Sequence, residues 1–234
     1  MIVHNLYNIT HKTTPTEECM ADSIIKLVGI GGCGISIINS IVDKNIKGVE
    51  CIAIDANKRA LDISNAQKKL LIGEKSVDGL GSGGAPEVGE SAAREDVEAI
   101  KELFPEKQDC IAVIVAGMGG GTGTGAAPIV AEIARKNGAS TIAIVCKPFD
   151  FEGKVKMQCA EDGLKKLRES VENVITLKNQ GIVTAADDLQ LSEISYKDAF
   201  KIINNAANKF VQMLSELVYD DNIKGNVKFM KSIL

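Results

Sequence analysis

Between positions 117 and 125 the chain reads Gly117-Met118-Gly119-Gly120-Gly121-Thr122-Gly123-Thr124-Gly125, six glycines in nine residues. An unbroken apolar run, Cys110–Ala116, leads into this stretch, and Ala126–Lys136, helical in pattern, leads out of it. A flexible linker would not be flanked on both sides by such periodic segments. Glycine permits close backbone approach and positive φ, so successive N–H groups can converge on an anion. A helix that follows adds the positive end of its dipole. The Thr122 and Thr124 hydroxyls offer side-chain donors, and no lysine neutralises charge within the stretch. At Gly121 and Gly123 a left-handed backbone is expected, which a branched side chain would block.

Two further clusters, at 29–34 and 79–89, bring the total to 15 of the 22 glycines. Each follows a strand or precedes a helix. Apolar runs at Ile24–Ile30, Val49–Ile54, Lys69–Ile72, Cys110–Ala116, Ser140–Cys146 and Val174–Leu177 read as strands. Helical patterns fall at Ile35–Asp43, Pro86–Leu103, Ala126–Lys136 and Lys154–Ser170. Continuous apolar strands alternating with helices predict an α/β fold, a Rossmann-like parallel sheet with helices on both faces. Three glycine loops at one edge of that sheet describe a polyphosphate site at the carboxyl ends of the strands. A long helix is predicted over Ser195–Val218, with Phe200, Ile203, Ala206, Phe210, Met213 or Leu214, and Leu217 at steps of three or four. Ile202, Ala207, Val211 and Val218 make it apolar on more than one side, so it is expected to be largely buried.

The first loop, Gly29-Ile30-Gly31-Gly32-Cys33-Gly34, nearly fits G-x-G-x-x-G, and Asp55 stands where a dinucleotide site needs an acidic residue. On this loop alone, NAD or FAD remains open. No G-x-x-x-x-G-K-[ST] occurs, which excludes the ordinary P-loop. The net charge of −4 gives no basic footprint for nucleic acid. No apolar run approaches the roughly 18 residues of a membrane span. Met1–Ala21 carries no apolar core of a secretory signal, so a cytoplasmic protein is expected. The six cysteines form no CxxC pair. Cys51, Cys110 and Cys146 are expected to be small buried hydrophobes in a reducing compartment. Cys33 is expected to be exposed in the phosphate loop. Metal ligation by the chain is not expected, because its two histidines, His4 and His11, both lie in the N-terminal tail.

The segment GGGTGTG, Gly119–Gly125, resembles the signature of the tubulin/FtsZ superfamily, and Ala116–Pro128 as a whole resembles bacterial and archaeal FtsZ. The likeness runs from Ile24 to about Val218. It continues through Gly73-Glu74-Lys75, Gly79-Leu80-Gly81, Pro86-Glu87-Val88-Gly89, Lys147-Pro148-Phe149 and Phe151-Glu152-Gly153. The resemblance implies a GTP-binding domain over 23–221 that ends in a long central helix, about 195–218. Residues 1–22, polar with Thr-Thr-Pro at 13–15, are expected to be a poorly ordered extension, and the resemblance implies a remnant of the following loop over 222–234. By the same resemblance, Gly31, Gly32, Cys33 and Gly34 line the α- and β-phosphates. Gly81, Ser82, Gly83 and Gly84 sense the γ-phosphate, and Gly117, Met118, Gly119, Gly120, Gly121, Thr122, Gly123, Thr124 and Gly125 form the main cradle. Pro148 and Glu152 hold the ribose, and Lys156 reaches the nucleotide. Asn179 and Asn204 read the guanine edge, and Phe200 stacks on the base. GTP or GDP is the implied ligand, with Mg²⁺ on the β- and γ-phosphates.

The chain departs from the FtsZ pattern at several points. Cys33, Ile35 and Ser36 stand where Gly, Gly and Asn are usual, and Asp55-Ala56-Asn57 where Asn-Thr-Asp is usual. Asp55 would repel phosphates if it points inward. Ala85 replaces an Asn, and Lys156 an Arg, which loses a bidentate fork but keeps the charge. The loop that supplies catalytic carboxylates to a neighbour in that family aligns with Asn226–Lys231, where Lys228 and Lys231 stand and no Asp or Glu follows Asp221. The family's second domain is expected to be absent. These readings together predict a guanine-nucleotide-binding protein of the cell-division, cytoskeletal type whose own hydrolysis is impaired. Two alternatives are a GTPase completed by the carboxylates of a full-length FtsZ partner and a module that caps filaments. Alone, the chain is expected to be a monomer or to self-associate weakly, with no nucleic-acid or membrane partner.

Overall fold

The computed structural model describes residues 25–105, 110–188 and 195–219. Six strands form one all-parallel sheet: β1 (Ile25–Ile30), β2 (Val49–Asp55), β3 (Lys68–Leu71), β4 (Ile111–Gly117), β5 (Ser140–Lys147) and β6 (Asn173–Lys178), in the order β3-β2-β1-β4-β5-β6. The α/β class and parallel sheet expected from the alternation are therefore present. The chain winds outward from β1 through β2 to β3, then returns to β4 on the other side of β1. This reversal leaves a crevice between β1 and β4 at their carboxyl ends.

Alternate residues of the apolar strands feed two separate cores. Val28, Ile30, Ile52, Ile54, Ala112, Ile114, Ala116, Ala143 and Val145 pack under α4 (Pro86–Glu95), α5 (Val97–Glu102), α6 (Gly121–Lys136) and α7 (Lys154–Ser170). Leu27, Cys51, Ala53, Val113, Val115, Ile142, Ile144 and Cys146 pack under α1 (Gly31–Ile41), α2 (Lys58–Asp62) and α9 (Tyr196–Tyr219). Burial on both faces explains why these strands read as apolar runs rather than alternating ones. Cys51, Cys110 and Cys146 are buried, as expected.

Two short helices, α2 and α3 (Glu74–Val77), and the longer α8 (Asn179–Asp188) went unmarked by any sequence signal used above. The predicted helix over Pro86–Leu103 is two helices. Asp96 breaks it at φ −111, ψ 32, and its carboxylate accepts the Gly73 N–H at 2.6 Å.

The last helix corrects an expectation. It is buried along one stripe only, Ala199, Ile203, Ala207, Val211 and Leu214, while Ile202, Met213 and Leu217 are 45, 51 and 41% exposed and Ala206 faces solvent. The buried positions recur every three or four residues, along the side that packs against α1 and α8. Asn204 Nδ2 donates to Ser36 Oγ at 3.2 Å, and Asn208 Nδ2 to Ser40 Oγ at 3.1 Å and to Ser40 O at 3.2 Å. Ser215 Oγ donates to the Lys47 carbonyl at 2.7 Å. The Ser36 and Ser40 rungs, one turn apart on both helices, and the Lys47 contact fix the height of α9 along α1. The segments 1–22 and 222–234, including Lys228 and Lys231, lie outside the described residues. Among the described residues no helix is long and apolar enough to cross a membrane.

Candidate functional site

The crevice at the β1/β4 reversal opens into a cavity of about 500 Å³. Its floor is the meeting of two helix N-termini. A Cβ built on Gly31, at the start of α1, would lie 2.9 Å from the Gly123 amide in the first turn of α6. Both helices begin immediately beyond their strands, with only Met118–Gly120 intervening before α6. Free N–H groups of two helices thus point into one space, where they favour an anion.

Gly121, Thr122, Gly123, Thr124 and Gly125 are helical, not loop, because α6 starts at Gly121. Gly121 and Gly123 have negative φ, so the left-handed geometry expected of them is not adopted. They are small for a different reason. A Cβ on Gly121 would sit 2.2 Å from Ser82 Oγ and 2.8 Å from the Ala85 amide, one on Gly123 2.5 Å from the Gly117 carbonyl, and one on Gly125 1.9 Å from the Pro86 carbonyl. Glycine lets the loop at 81–85 and α4 lie directly on α6. Among the expected site residues the left-handed positions are Gly31, Gly81, Gly83, Gly84 and Gly119, with φ between +57 and +96.

Most of the expected residues converge. Gly31, Gly32, Cys33, Gly81, Ser82, Gly83, Gly117, Met118, Gly120, Gly121, Thr122, Gly123, Pro148, Glu152, Lys156, Asn179 and Phe200 all line the cavity. Gly34 lies behind it, its Cα close under the Val115 carbonyl. Gly119 is pinned by its N–H, which donates to Thr124 Oγ1 at 2.8 Å. That bond faces Thr124 inward, and with Gly125 it lines a second cavity of about 380 Å³ between α4 and α7. Gly84 and Asn204 are also outside the lining; Asn204 is joined to Ser36 instead.

On the β5 side, Glu152 Oε1 accepts the Phe149 amide at 2.8 Å and Oε2 pairs with Lys156 Nζ at 2.5 Å. These bonds hold both side chains at the cavity wall. Phe200 meets Phe149 edge to face at 5.9 Å between ring centres, half-buried at the mouth. Asn179 opens α8 directly beyond β6 and is 4% exposed. Its Oδ1 is buried in the cavity wall with no hydrogen-bond partner.

Cys33 corrects another expectation. It sits in the first turn of α1, half-buried rather than exposed, over Gly117, the register partner of Cys146. The neighbouring Cys146 thiol holds the Cys33 thiol below the ordinary range, while Cys33 and burial push Cys146 well above it.

Sequence reasoning raised Asp55 only as a possible neighbour of the phosphates and did not place Asn57, Ala60, Leu80, Cys146 and Lys147 in the site, although all six line the cavity. The available signal was position: Asp55, Cys146 and Lys147 are the last residues of their strands, the end where such sheets bind ligands. Asp55 points inward and is 3% exposed. Burial raises its pKa, partly offset by the Asn57 amide, the Thr122 hydroxyl and the Ala56 amide.

Fold and crevice together define a doubly wound α/β domain with a glycine-floored cavity at its switch point. The profile of the Tubulin/FtsZ family, GTPase domain, matches residues 24–187, and the chain belongs to this family. The cell division protein FtsZ 2 of Rhizobium meliloti is 38% identical over 199 residues, 85% of this chain and 56% of its own length. An empty FtsZ dimer from M. jannaschii superposes with a TM-score of 0.77 at 38% identity, over 85% of this chain and 56% of that one. CetZ2 from Haloferax volcanii, in a GTPgS-bound protofilament, shares the fold at a TM-score of 0.70 and 23% identity, covering 85% and 60% of the two chains. The chain thus spans little more than half the length of these relatives.

Proposed function

We propose that the chain binds a guanine nucleotide in the cavity at the β1/β4 switch point. The observation that carries this reading is the orphaned Asn179 Oδ1. A buried acceptor without a partner is costly unless a ligand supplies a donor. The guanine edge offers two adjacent N–H donors there, whereas adenine presents a lone pair at the matching ring nitrogen. Phe200 would stack on the base, Pro148 and Glu152 would face the ribose, and the polyphosphate would lie over the N-termini of α1 and α6 and the 81–83 loop. Gly32 and Gly120, where a Cβ would meet nothing within 4 Å, leave room for phosphate oxygens beside their amides. Among the described residues no cluster of three or more His, Cys, Asp or Glu is placed to hold a metal ion. Mg²⁺ would therefore enter with GTP, bound to the phosphate oxygens.

A site built on such bonds discriminates by up to about 10⁴. GTP and GDP should displace a labelled guanine nucleotide far better than ATP does. Equal competition by ATP would sink the guanine assignment.

Turnover by the chain alone is expected to be slow. Support comes from the residues at 226–231, where lysines at 228 and 231 replace the carboxylates of the FtsZ pattern. An ammonium cannot accept a proton from water, and loss of a general base costs about 10²–10⁴ in rate. Phosphate release should stay near background for this chain and rise when a full-length FtsZ, carrying its own acidic loop, is added. The same mixture tests whether the chain caps filaments. Concentration-dependent GTPase activity and filaments from this chain alone would overturn the reading.

A further inference from the structure

The cavity runs across the carboxyl ends of β2, β1, β4, β5 and β6, and its two ends differ in charge. At one end stand Asn179, directly beyond β6, and Phe200 at the mouth. Lys147 ends β5, and Glu152 and Lys156 follow it. The N-termini of α6 and α1 come next, beyond β4 and β1. At the far end lies Asp55, the last residue of β2. The loop at 81–83 is tied to the same place. The Gly81 amide donates to the Ala56 carbonyl at 3.0 Å, Asn57 bridges to Leu80, and Ser82 Oγ lies 3.0 Å from Thr122 Oγ1. Neighbouring strands are about 4.8 Å apart, so β2 and β6 stand roughly 19 Å from each other. A nucleotide held by its base at β6 therefore carries its outermost phosphate furthest toward β2.

Four charged side chains line this space: Asp55, Lys147, Glu152 and Lys156. Both lysines are on the β5 side, and each is matched there by a carboxylate, Lys147 by Glu161 and Lys156 by Glu152 at 2.5 Å. Asp55 has no such match. It makes no ion pair among the described residues, and its Oδ1 accepts the Asn57 amide at 3.1 Å. At 3% exposure its charge is little screened by solvent. An ionised carboxylate only accepts hydrogen bonds, as phosphate oxygens do. Phosphates thus meet amide donors over α1 and α6, and a like charge at β2.

We propose that Asp55 is a specificity-determining residue that makes the site select a nucleoside diphosphate over the triphosphate, by opposing the outermost phosphate at the β2 end of the cavity. The proposal rests on the nucleotide reading of this cavity. A diphosphate gains the free N–H groups of both helix N-termini and stops short of Asp55. A third phosphate reaches the 81–83 loop, but it brings its charge against a buried carboxylate of the same sign. Asparagine, which stands at this position in the FtsZ pattern, has the same shape without the charge. Opposing charges within about 4–6 Å move such an equilibrium by on the order of tenfold or more, and like charges act in the reverse sense.

The test is the affinity for GMP, GDP and GTP, read by displacement of a labelled guanine nucleotide in the presence of a chelator. Burial raises the Asp55 pKa, so the measurement is made at about pH 8, several units above the ordinary range of Asp. For the unaltered chain, affinity should rise from GMP to GDP and then fall by about tenfold or more from GDP to GTP, a series that needs no variant. Asp55→Asn should bind GTP at least as tightly as GDP, and Asp55→Ala should likewise lose the preference. Added Mg²⁺ offsets the charge of the terminal phosphate and should narrow the preference of the unaltered chain without inverting it. GTP binding to the unaltered chain as tightly as GDP, or one GDP-to-GTP ratio shared by all three proteins, overturns the proposal while nucleotide binding stands. Inversion by Mg²⁺ in the unaltered chain but not in the variants would make Asp55 a metal ligand, and overturns it too. If none of the three nucleotides binds the unaltered chain, the nucleotide reading fails, and this inference with it.

Discussion

A Gly121→Val chain is expected to lose guanine-nucleotide binding outright, measured by titration with a fluorescent guanine nucleotide. The cause is not backbone conformation, since Gly121 is helical. Its Cβ would lie 2.2 Å from Ser82 Oγ and 2.8 Å from the Ala85 amide, and valine adds two methyl groups beyond that point. The Ser82 side chain can rotate away, but the backbone at Ala85 cannot move without lifting the loop at 81–85 off α6. Forcing extra methyl groups into a packed contact costs roughly 1–3 kcal/mol. Here the loop that gives way is a wall of the proposed phosphate site. Gly123→Val should act alike through the Gly117 carbonyl, 2.5 Å from its Cβ position. Unchanged affinity in both variants would mean that the phosphates lie elsewhere.

The second large effect is expected far from the cavity. Glu50, 3% exposed, accepts Lys26 Nζ at 3.0 Å on one oxygen and Lys68 Nζ at 2.7 Å on the other. Lys26 is itself 3% exposed and is the direct register partner of Glu50 across β1 and β2. Glu50→Ala would leave the Lys26 ammonium buried and unpaired, which costs about 3–5 kcal/mol. Domains of this kind have only about 5–15 kcal/mol of net stability, so the urea midpoint should fall sharply. Replacing both partners, Lys26→Met with Glu50→Leu, should be neutral or stabilising, because the desolvation cost of the pair disappears with it. A loss below about 1 kcal/mol for Glu50→Ala would show that Lys26 reaches water when unpaired.

The layered fold was legible because its cause is local and repeated. Each strand of a doubly covered parallel sheet must be apolar on both faces, and each crossover must be a helix. Lys154–Ser170 was read to its boundaries for this reason, and strand limits differed by at most one residue. The short helices were not legible. Lys58–Asp62 is held by its cap, Asn57 Oδ1 accepting the Arg59 and Ala60 amides, and carries too few residues to show a period. The helix at Asn179–Asp188 follows its strand without a turn residue between.

The glycine clusters and the end of each strand also announced a site, and 17 of its named residues line the cavity. What spacing could not say is which glycines serve a ligand and which serve a neighbour. Gly121 and Gly125 look alike in sequence, yet one underlies the 81–85 loop and the other touches Pro86 of α4. The resemblance assigned Asn204 to the guanine edge; the pairing of α9 with α1 gives its amide to Ser36. Asp55 was visible as a carboxylate, but only the fold sets it, 3% exposed, in the same cavity wall as Thr122 and Ser82. Sequence by itself therefore determined the elements, their layering and the edge where a ligand belongs, because these follow from periodicity and backbone freedom along one chain. Tertiary structure alone decided the partners of polar groups remote in sequence, Lys26 with Glu50, Asn204 with Ser36 and Ser82 with Thr122. A hydrogen bond or ion pair needs two atoms within about 3 Å, and the register of segments remote in sequence sets that distance.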